Sequence, residues 1–152
     1  MSKFTYKGKA EILHLNTRKE GPEDDKVLAA DIKLQAMVSR SVLEFFEPML
    51  GECLFLDSGA VRNVMMGPIH FENELRNYAM DVFGRRVTGV TAKKFIVVPK
   101  DINQILLTFS VSFKPTGNEV GVLAEHLADM IDIDLAPESG ELGLGEKFEE
   151  KT

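Results

Sequence analysis

The chain has 152 residues, 44% of them hydrophobic, and a formal net charge of −6. This length predicts one domain with a substantial core, and the hydrophobic fraction excludes a wholly disordered protein. A single cysteine excludes a disulfide framework and a zinc site built on paired cysteines. No apolar run approaches about 18 residues, which predicts no membrane-spanning helix. Met1–Thr5 lack the apolar run of a secretory signal, so we expect none there.

The first 38 residues predict two strands joined by a turn. Residues 3–15 are rich in β-branched and aromatic side chains, as strands are. An acidic turn follows at 20–25, around Gly21-Pro22. From Lys26 to Val38 apolar and polar residues alternate, which is typical of a half-buried strand.

Residues 41–56 predict a short helix and a brief strand. Ser41 and Glu44 have the spacing of a capping box, in which each side chain satisfies a backbone N–H at the start of a helix. Pro48 and Gly51 are expected to end that helix. The apolar run Cys53–Leu56 predicts a buried strand, and a buried thiol makes a catalytic cysteine improbable.

The centre of the chain is dominated by strands. Residues 74–83 fit either a helix or a strand, and the turn expected at Gly84-Arg85 favours the strand. Residues 86–98 predict another strand. Residues 105–114 have the most regular alternation in the chain, with Phe109 among the apolar positions, and predict a strand buried on one face.

The last part of the chain predicts a helix, a strand and a tail. Asn118 can cap a helix over 119–128, and 131–135 alternate as a strand. Residues 137–152 hold five acids and two lysines with few apolar side chains, which predicts a disordered acidic tail. We therefore expect a single β-rich domain over 1–136, mainly β with two short helices. Its strands should form an antiparallel β-sandwich or a partly open, OB-like barrel.

No catalytic or metal-binding motif is present in the sequence. His14, His70 and His126 lack the spacing of a zinc site. Asp132 and Asp134 share one strand face and could bind a hard cation, although such pairs more often form the wet face of an edge strand. We therefore expect no metal, no cofactor and no enzymatic activity, unless distant residues converge on a site.

One constellation points to single-stranded nucleic acid. Proteins of that class track phosphates with basic side chains and stack bases on aromatic rings. The candidate residues lie in two basic strands and are Tyr6, Lys7, Lys9, Arg85, Arg86, Lys93, Lys94 and Phe95. The hypothesis requires the two strands to lie side by side. The alternatives are that the aromatic rings belong to the core and that the charges are solvated strand faces.

The chain also resembles a group of small, uncharacterised proteins encoded by tailed bacteriophages and prophages. The similarity lies in residues 13–20, 27–34, 120–127 and 131–135, together with Gly67-Pro68-Ile69. It implies the cytoplasm of a bacterial host cell and carries over no functional residue.

The sequence thus leaves two main functional hypotheses. The first is a phage accessory protein that binds single-stranded nucleic acid in replication or recombination. The alternative is a protein-interaction module that antagonises a host enzyme or defence complex, or a virion-associated structural protein. In either case the acidic tail could contact a host or phage protein. Homo-oligomerisation is expected because the edges of an open sheet need to be covered.

Overall fold

The computed structural model of the protein describes residues 3–138, which form seven strands, a 3₁₀ helix and two α-helices. The strands are β1 (Tyr6–Glu20), β2 (Val27–Ser39), β3 (Ile69–Phe71), β4 (Leu75–Val82), β5 (Arg85–Lys100), β6 (Gln104–Phe113) and β7 (Met130–Pro137). The helices are the 3₁₀ helix (Arg40–Phe45), α1 (Leu50–Leu54) and α2 (Gly117–Glu125).

Six of the strands form a closed antiparallel barrel. Its order is β5-β4-β7-β1-β2-β6, and β6 pairs again with β5. The short strand β3 adds to β5 beyond the end of the β4 pairing. The expectation of a mainly β, antiparallel chain is confirmed. The sheet is neither a sandwich nor a partly open barrel. It closes on itself, since β5 pairs with β4 along one edge and with β6 along the other.

The barrel interior is the hydrophobic core. The alternating apolar residues of β2 and β6 point inward, as predicted, and those of β6 are almost completely buried. Four phenylalanines meet at the centre. The ring centroid of Phe95 lies 5.1 Å from that of Phe4, 5.0 Å from that of Phe46 and 5.7 Å from that of Phe109. Such contacts add about 0.5–1.5 kcal/mol per pair to the burial of the rings.

The segment between β2 and β3 differs from its prediction. The N-cap of the 3₁₀ helix is Ser39, whose hydroxyl accepts from the Ser41 N–H at 3.3 Å, so the capping box predicted for Ser41 and Glu44 is wrong. The predicted strand at Cys53–Leu56 is wrong, since Cys53 belongs to α1 and is exposed. Only Phe55 pairs there, in an isolated bridge. The apolar residues of this segment follow a helical turn that buries Leu54, so the short apolar run did not indicate a strand.

Two other predicted elements, β4 and α2, are present in the structure. Residues 74–83 contain β4, so the strand favoured by the sequence is confirmed. The helix predicted over 119–128 is α2, Gly117–Glu125. Its N-cap is Thr116 and not the predicted Asn118, because Thr116 and Glu119 form a complete capping box. The Thr116 hydroxyl accepts from the Glu119 N–H at 3.2 Å, and the Glu119 carboxylate accepts from the Thr116 N–H at 2.8 Å.

The barrel extends slightly past the predicted domain boundary. Pro137 is the last residue of β7, and the Glu138 N–H donates to the Asn77 carbonyl at 2.9 Å. The Glu138 carboxylate also accepts from the Gly89 N–H at 2.7 Å. The rest of the predicted acidic tail, 139–152, lies outside the described residues. Within residues 3–138, no helix has the length and apolar character needed to cross a bilayer.

Candidate functional site

The two basic segments of the predicted nucleic-acid interface lie on opposite walls of the barrel. Two strands separate β1 from β5 in either direction around the sheet, through β7 and β4 or through β2 and β6. With about 4.8 Å between neighbouring strands, the segments lie half-way around the barrel from each other. The single patch that the hypothesis requires is therefore not formed. The sequence could not show this, because strand order depends on non-local pairing.

Acidic side chains lie between the two basic segments. In the register of the sheet, Lys7 is opposite Asp134, Asp134 is opposite Asp81, and Asp81 is opposite Arg86. The order of charges across this row is therefore plus, minus, minus, plus. A phosphate backbone that crossed from β1 to β5 would pass two carboxylates, which repel it.

Three of the candidate basic residues are also in ion pairs. The Lys9 ammonium lies 3.2 Å from Asp132, and the Arg86 guanidinium lies 3.7 Å from Asp81. The Arg85 guanidinium lies 3.1 Å from Glu119. Lys93 and Lys94 sit at a bulge of β5, away from these pairs, where β5 runs beside β3. The candidate cations are thus dispersed over the surface.

The predicted stacking rings are not open platforms. Phe95 is 0% exposed at the centre of the core, so it cannot stack on a base and is removed from the candidate interface. Tyr6 is half-buried, with its ring centroid 6.3 Å from that of Phe109, and its hydroxyl donates to the Lys9 carbonyl. Burial raises the pKa of Tyr6. Among the residues that the structure describes, no group of three or more metal-binding side chains could hold an ion.

The structure instead assembles an apolar site around the β4–β5 turn. Val82 pairs with Arg85, so Phe83 and Gly84 are the two central residues of the hairpin. Both are in the left-handed conformation, with φ of 52° for Phe83 and 76° for Gly84, as in a type I′ turn. Asparagine is favoured at the first of these positions, and a bulky residue there is a true outlier. The turn nevertheless leaves Phe83 42% exposed.

A small apolar cavity lies on one side of Phe83, between the hairpin and α2. Its volume is about 160 Å³. Its apolar lining comes from both strands of the hairpin, from the end of β6 and from α2, and consists of Val82, Phe83, Val87, Phe113, Val122 and Leu123. This is room for one large side chain, since pockets for drug-sized ligands are about 300–1,000 Å³.

A wider groove lies on the other side of Phe83, along the outer face of β7. Its volume is about 650 Å³. Met130 and His126 contribute to its wall, and the carboxylates of β4 and β7 line it. The His126 ring lies 4.8 Å from the Phe83 ring, at an interplanar angle of 30°. The Asp129 carboxylate lies 3.3 Å from His126 Nδ1. We call Phe83, the cavity and this groove the Phe83 site.

The mouth of the cavity carries a basic group with spare donors. Glu119 is fixed by the helix cap and by Arg85, and its side chain is only 18% exposed. The Arg85 side chain is 64% exposed. A guanidinium has five N–H donors, so one carboxylate contact leaves most of them available. Arg85 can therefore bind a second carboxylate or a carbonyl oxygen at the edge of the cavity.

The sequence contained one signal for this site that the prediction did not use. The turn was placed at Gly84-Arg85, one residue late, and Phe83 was not singled out. A phenylalanine immediately before the glycine of a two-residue hairpin is the detectable feature, because asparagine or aspartate is the usual residue. No known protein family, curated protein or solved structure matches the chain. The geometry therefore carries the functional argument.

Proposed function

We propose that this protein is a non-enzymatic interaction module that binds a short segment of a partner protein at the Phe83 site. An apolar side chain of the partner enters the cavity beside Phe83, and a neighbouring carboxylate of the partner binds Arg85. The observation that carries this proposal is the exposed Phe83 ring in a left-handed turn. Such strain costs on the order of 1–3 kcal/mol and is concentrated at functional sites.

The composition of the site matches the centres of known interfaces. Binding energy at interfaces is concentrated in aromatic and arginine residues next to well-packed pockets. Phe83 and Arg85 are two residues apart on the hairpin and border the same cavity. Val122 of α2, Leu127 after it and Met130 at the start of β7 are further exposed apolar residues. Together they give a partner an apolar surface around one deep contact.

From the resemblance to phage proteins, we propose that this module acts inside a bacterial host cell. In a bacterial cytoplasm, the partner would be a host enzyme, a defence complex or another phage protein. The homo-oligomer that the sequence analysis expected was argued from open sheet edges, and the pairing of β6 with β5 closes the barrel.

Selection of peptides on the full chain tests the proposal directly. We expect peptides enriched from a random library to combine one large apolar residue with a nearby acid. Phe83→Asn should weaken their binding at least about thirtyfold, which corresponds to a hot-spot loss of about 2 kcal/mol. Asparagine suits the turn, so this variant removes the ring without disturbing the fold.

Met65→Asn is the matched control, because Met65 is 87% exposed at the opposite end of the barrel. It should leave peptide binding unchanged. The proposal fails if no peptide is enriched, or if Phe83→Asn and Met65→Asn bind the enriched peptides equally well.

Single-stranded nucleic acid remains the second proposal. The placement of Lys93 and Lys94 next to each other at the bulge of β5, away from the ion pairs of the other candidates, favours it. Fluorescence anisotropy with a labelled oligonucleotide should then give binding that weakens steeply with salt and is lost in Lys93→Ala/Lys94→Ala. Absence of binding at low salt excludes this function.

A further inference from the structure

One row of polar side chains crosses the outer face of four neighbouring strands. His14 of β1 is opposite Lys33 of β2. Ser110 of β6 is opposite Lys33 on one side and Lys93 of β5 on the other. The residues that flank Lys33 and Ser110 in sequence are buried in the core, so these two side chains point to the solvent. Directly opposite residues share a face of the sheet, so the other two point outward as well. We call His14, Lys33, Ser110 and Lys93 the basic row.

The side chains of the basic row have no partner among residues 3–138, whereas the rows on either side of it are paired. In the row on one side, the Arg18 guanidinium and the Ser112 hydroxyl both donate to the Asp31 carboxylate. In the row on the other side, the Gln35 amide donates to the Thr108 hydroxyl at 3.1 Å. Between them, no side chain of the basic row forms a hydrogen bond or an ion pair with another described residue. The donors of the row are therefore available to a ligand.

The basic row is positive because no carboxylate lies within it. Its two lysines flank a neutral serine and lie on strands about 10 Å apart, which is close to the distance over which salt screens charges. Lys94, the exposed residue after Lys93, adds a third ammonium at the bulge of β5. Acidic residues bound the row on two sides. Glu72 and Glu74 lie along the other edge of β5, and Glu11 lies on β1 in the next row. The positive surface is thus confined to the outer face of β2, β6 and β5.

The chemistry of the row fits phosphate groups. Lysine ammonium groups and hydroxyls are usual donors to phosphate oxygens, and the row has no aromatic ring on which a base could stack. We propose that the basic row binds the phosphate backbone of a nucleic acid without reading its sequence. Lys33 and Lys93 bind neighbouring phosphates, and the Ser110 hydroxyl donates a hydrogen bond between them. This inference rests on the second proposal above, the binding of nucleic acid, and extends its interface from Lys93 and Lys94 across β6 to β2.

Fluorescence anisotropy of the full chain with a labelled single-stranded oligonucleotide tests the row at Lys33. Lys33→Gln should weaken binding about fivefold at low salt, as expected for the loss of one exposed ion pair. It should also reduce the slope of log affinity against log salt concentration by about 0.7, the share of one phosphate contact on a single strand. Lys33→Arg retains the charge and should retain the slope. Oligonucleotides of different base sequence should bind alike, and a strong dependence on base sequence overturns the proposal.

Lys100→Gln is the matched control, because it removes the same charge from an exposed position of β5 outside the row. Lys100 is seven residues from Lys93, which is about 23 Å along the strand. The control should leave the affinity and the slope unchanged, and equal weakening by Lys33→Gln and Lys100→Gln overturns the row.

The same measurements separate this inference from the proposal on which it rests. Binding that is lost in Lys93→Ala/Lys94→Ala but unchanged in Lys33→Gln overturns the basic row and leaves the second proposal standing. Absence of binding at low salt overturns both. The Phe83 site is decided independently by the selected peptides, since that site contains no residue of the row.

Discussion

The two ends of the barrel both expose apolar side chains, but they differ in how their neighbours are bonded. At the end that carries the β5–β6 turn, the turn is hydrogen-bonded to the loop after α1. The Asn103 N–H donates to the Gly59 carbonyl at 2.8 Å, and the Val61 N–H donates to the Asp101 carboxylate at 2.8 Å. Arg40 reinforces this contact, with its guanidinium 3.1 Å from the Asn103 side chain.

The end that carries Phe83 is more open. The hairpin contacts α2 and its C-cap through the Arg85–Glu119 ion pair and the Phe83–His126 ring pair, and an apolar cavity lies beside them. The hollow at the opposite end is lined by apolar residues such as Val61 and Val98, together with Asn63, Lys100 and Asp101. Neither exposed apolar residues nor a hollow therefore distinguishes the two ends. The difference lies in the hydrogen bonds between the β5–β6 turn and the loop after α1, and in the single left-handed phenylalanine of the β4–β5 turn.

The largest effect is expected in the core between the two ends. Phe95→Ala removes a fully buried ring that contacts three other phenylalanines, and it should lower the free energy of unfolding by about 3–5 kcal/mol. Urea denaturation measures the change. A loss below about 1 kcal/mol would mean that the ring is not packed, and would restore Phe95 as a stacking residue.

Two glycine substitutions compare the ends directly. A Cβ on Gly59, where φ is 93°, would lie 2.4 Å from Ile102 Cγ2, whereas a Cβ on Gly84 meets no atom of the described residues within 4 Å. Gly59→Ala should therefore cost about 3 kcal/mol, from left-handed strain and overpacking together. Gly84→Ala should cost about 1–2 kcal/mol, from the strain alone. Equal losses in thermal or urea unfolding would show that the two ends are packed alike.

Alkaline pH should weaken the barrel wall near Phe4. The Tyr78 hydroxyl donates to the Phe4 carbonyl at 2.7 Å, and burial raises the pKa of Tyr78 above its ordinary value of 10.0. The unfolded chain loses this proton first, so the contribution to stability is complete below pH 10 and declines as the pH rises further. The slope is at most about 1.4 kcal/mol per pH unit for one group. Tyr78→Phe should flatten the pH dependence of urea unfolding, and an unchanged dependence would contradict the assignment.

The smallest effect on stability is expected at Phe83. Phe83→Asn places a favoured residue in the left-handed turn, so the free energy of unfolding should stay equal or rise by about 0.5–1 kcal/mol. Thermal unfolding of the full chain measures this. A stabilised variant that loses peptide binding would show that the ring is retained for binding. A loss of more than about 1 kcal/mol would indicate that Phe83 is a packing residue.

Local patterns predicted the elements well where one face of a strand is buried. The alternation at 105–114 gave β6, and that at 131–135 gave β7. The strand predicted from the short apolar run Cys53–Leu56 was wrong, because a run of four residues is too short to show whether its period is that of a strand or of a helix. For the eight residues proposed to bind nucleic acid, the sequence showed which are basic and which are aromatic. It could not show that Phe95 faces the core, because a bulge between Lys93 and Ile96 shifts the register of β5.

The sequence by itself determined that this protein is mainly β, which residues of β2 and β6 face inward, and where most of the turns lie. These properties follow from interactions between residues that are close in the chain. Only the tertiary structure decided that the barrel closes, that β1 and β5 lie on opposite walls, and that Phe83 stands between a cavity and a groove. Each of these depends on contacts between distant segments, such as Tyr6 with Leu135 and Arg85 with Glu119. Such pairings are selected by the packing of the whole core, which no local pattern encodes.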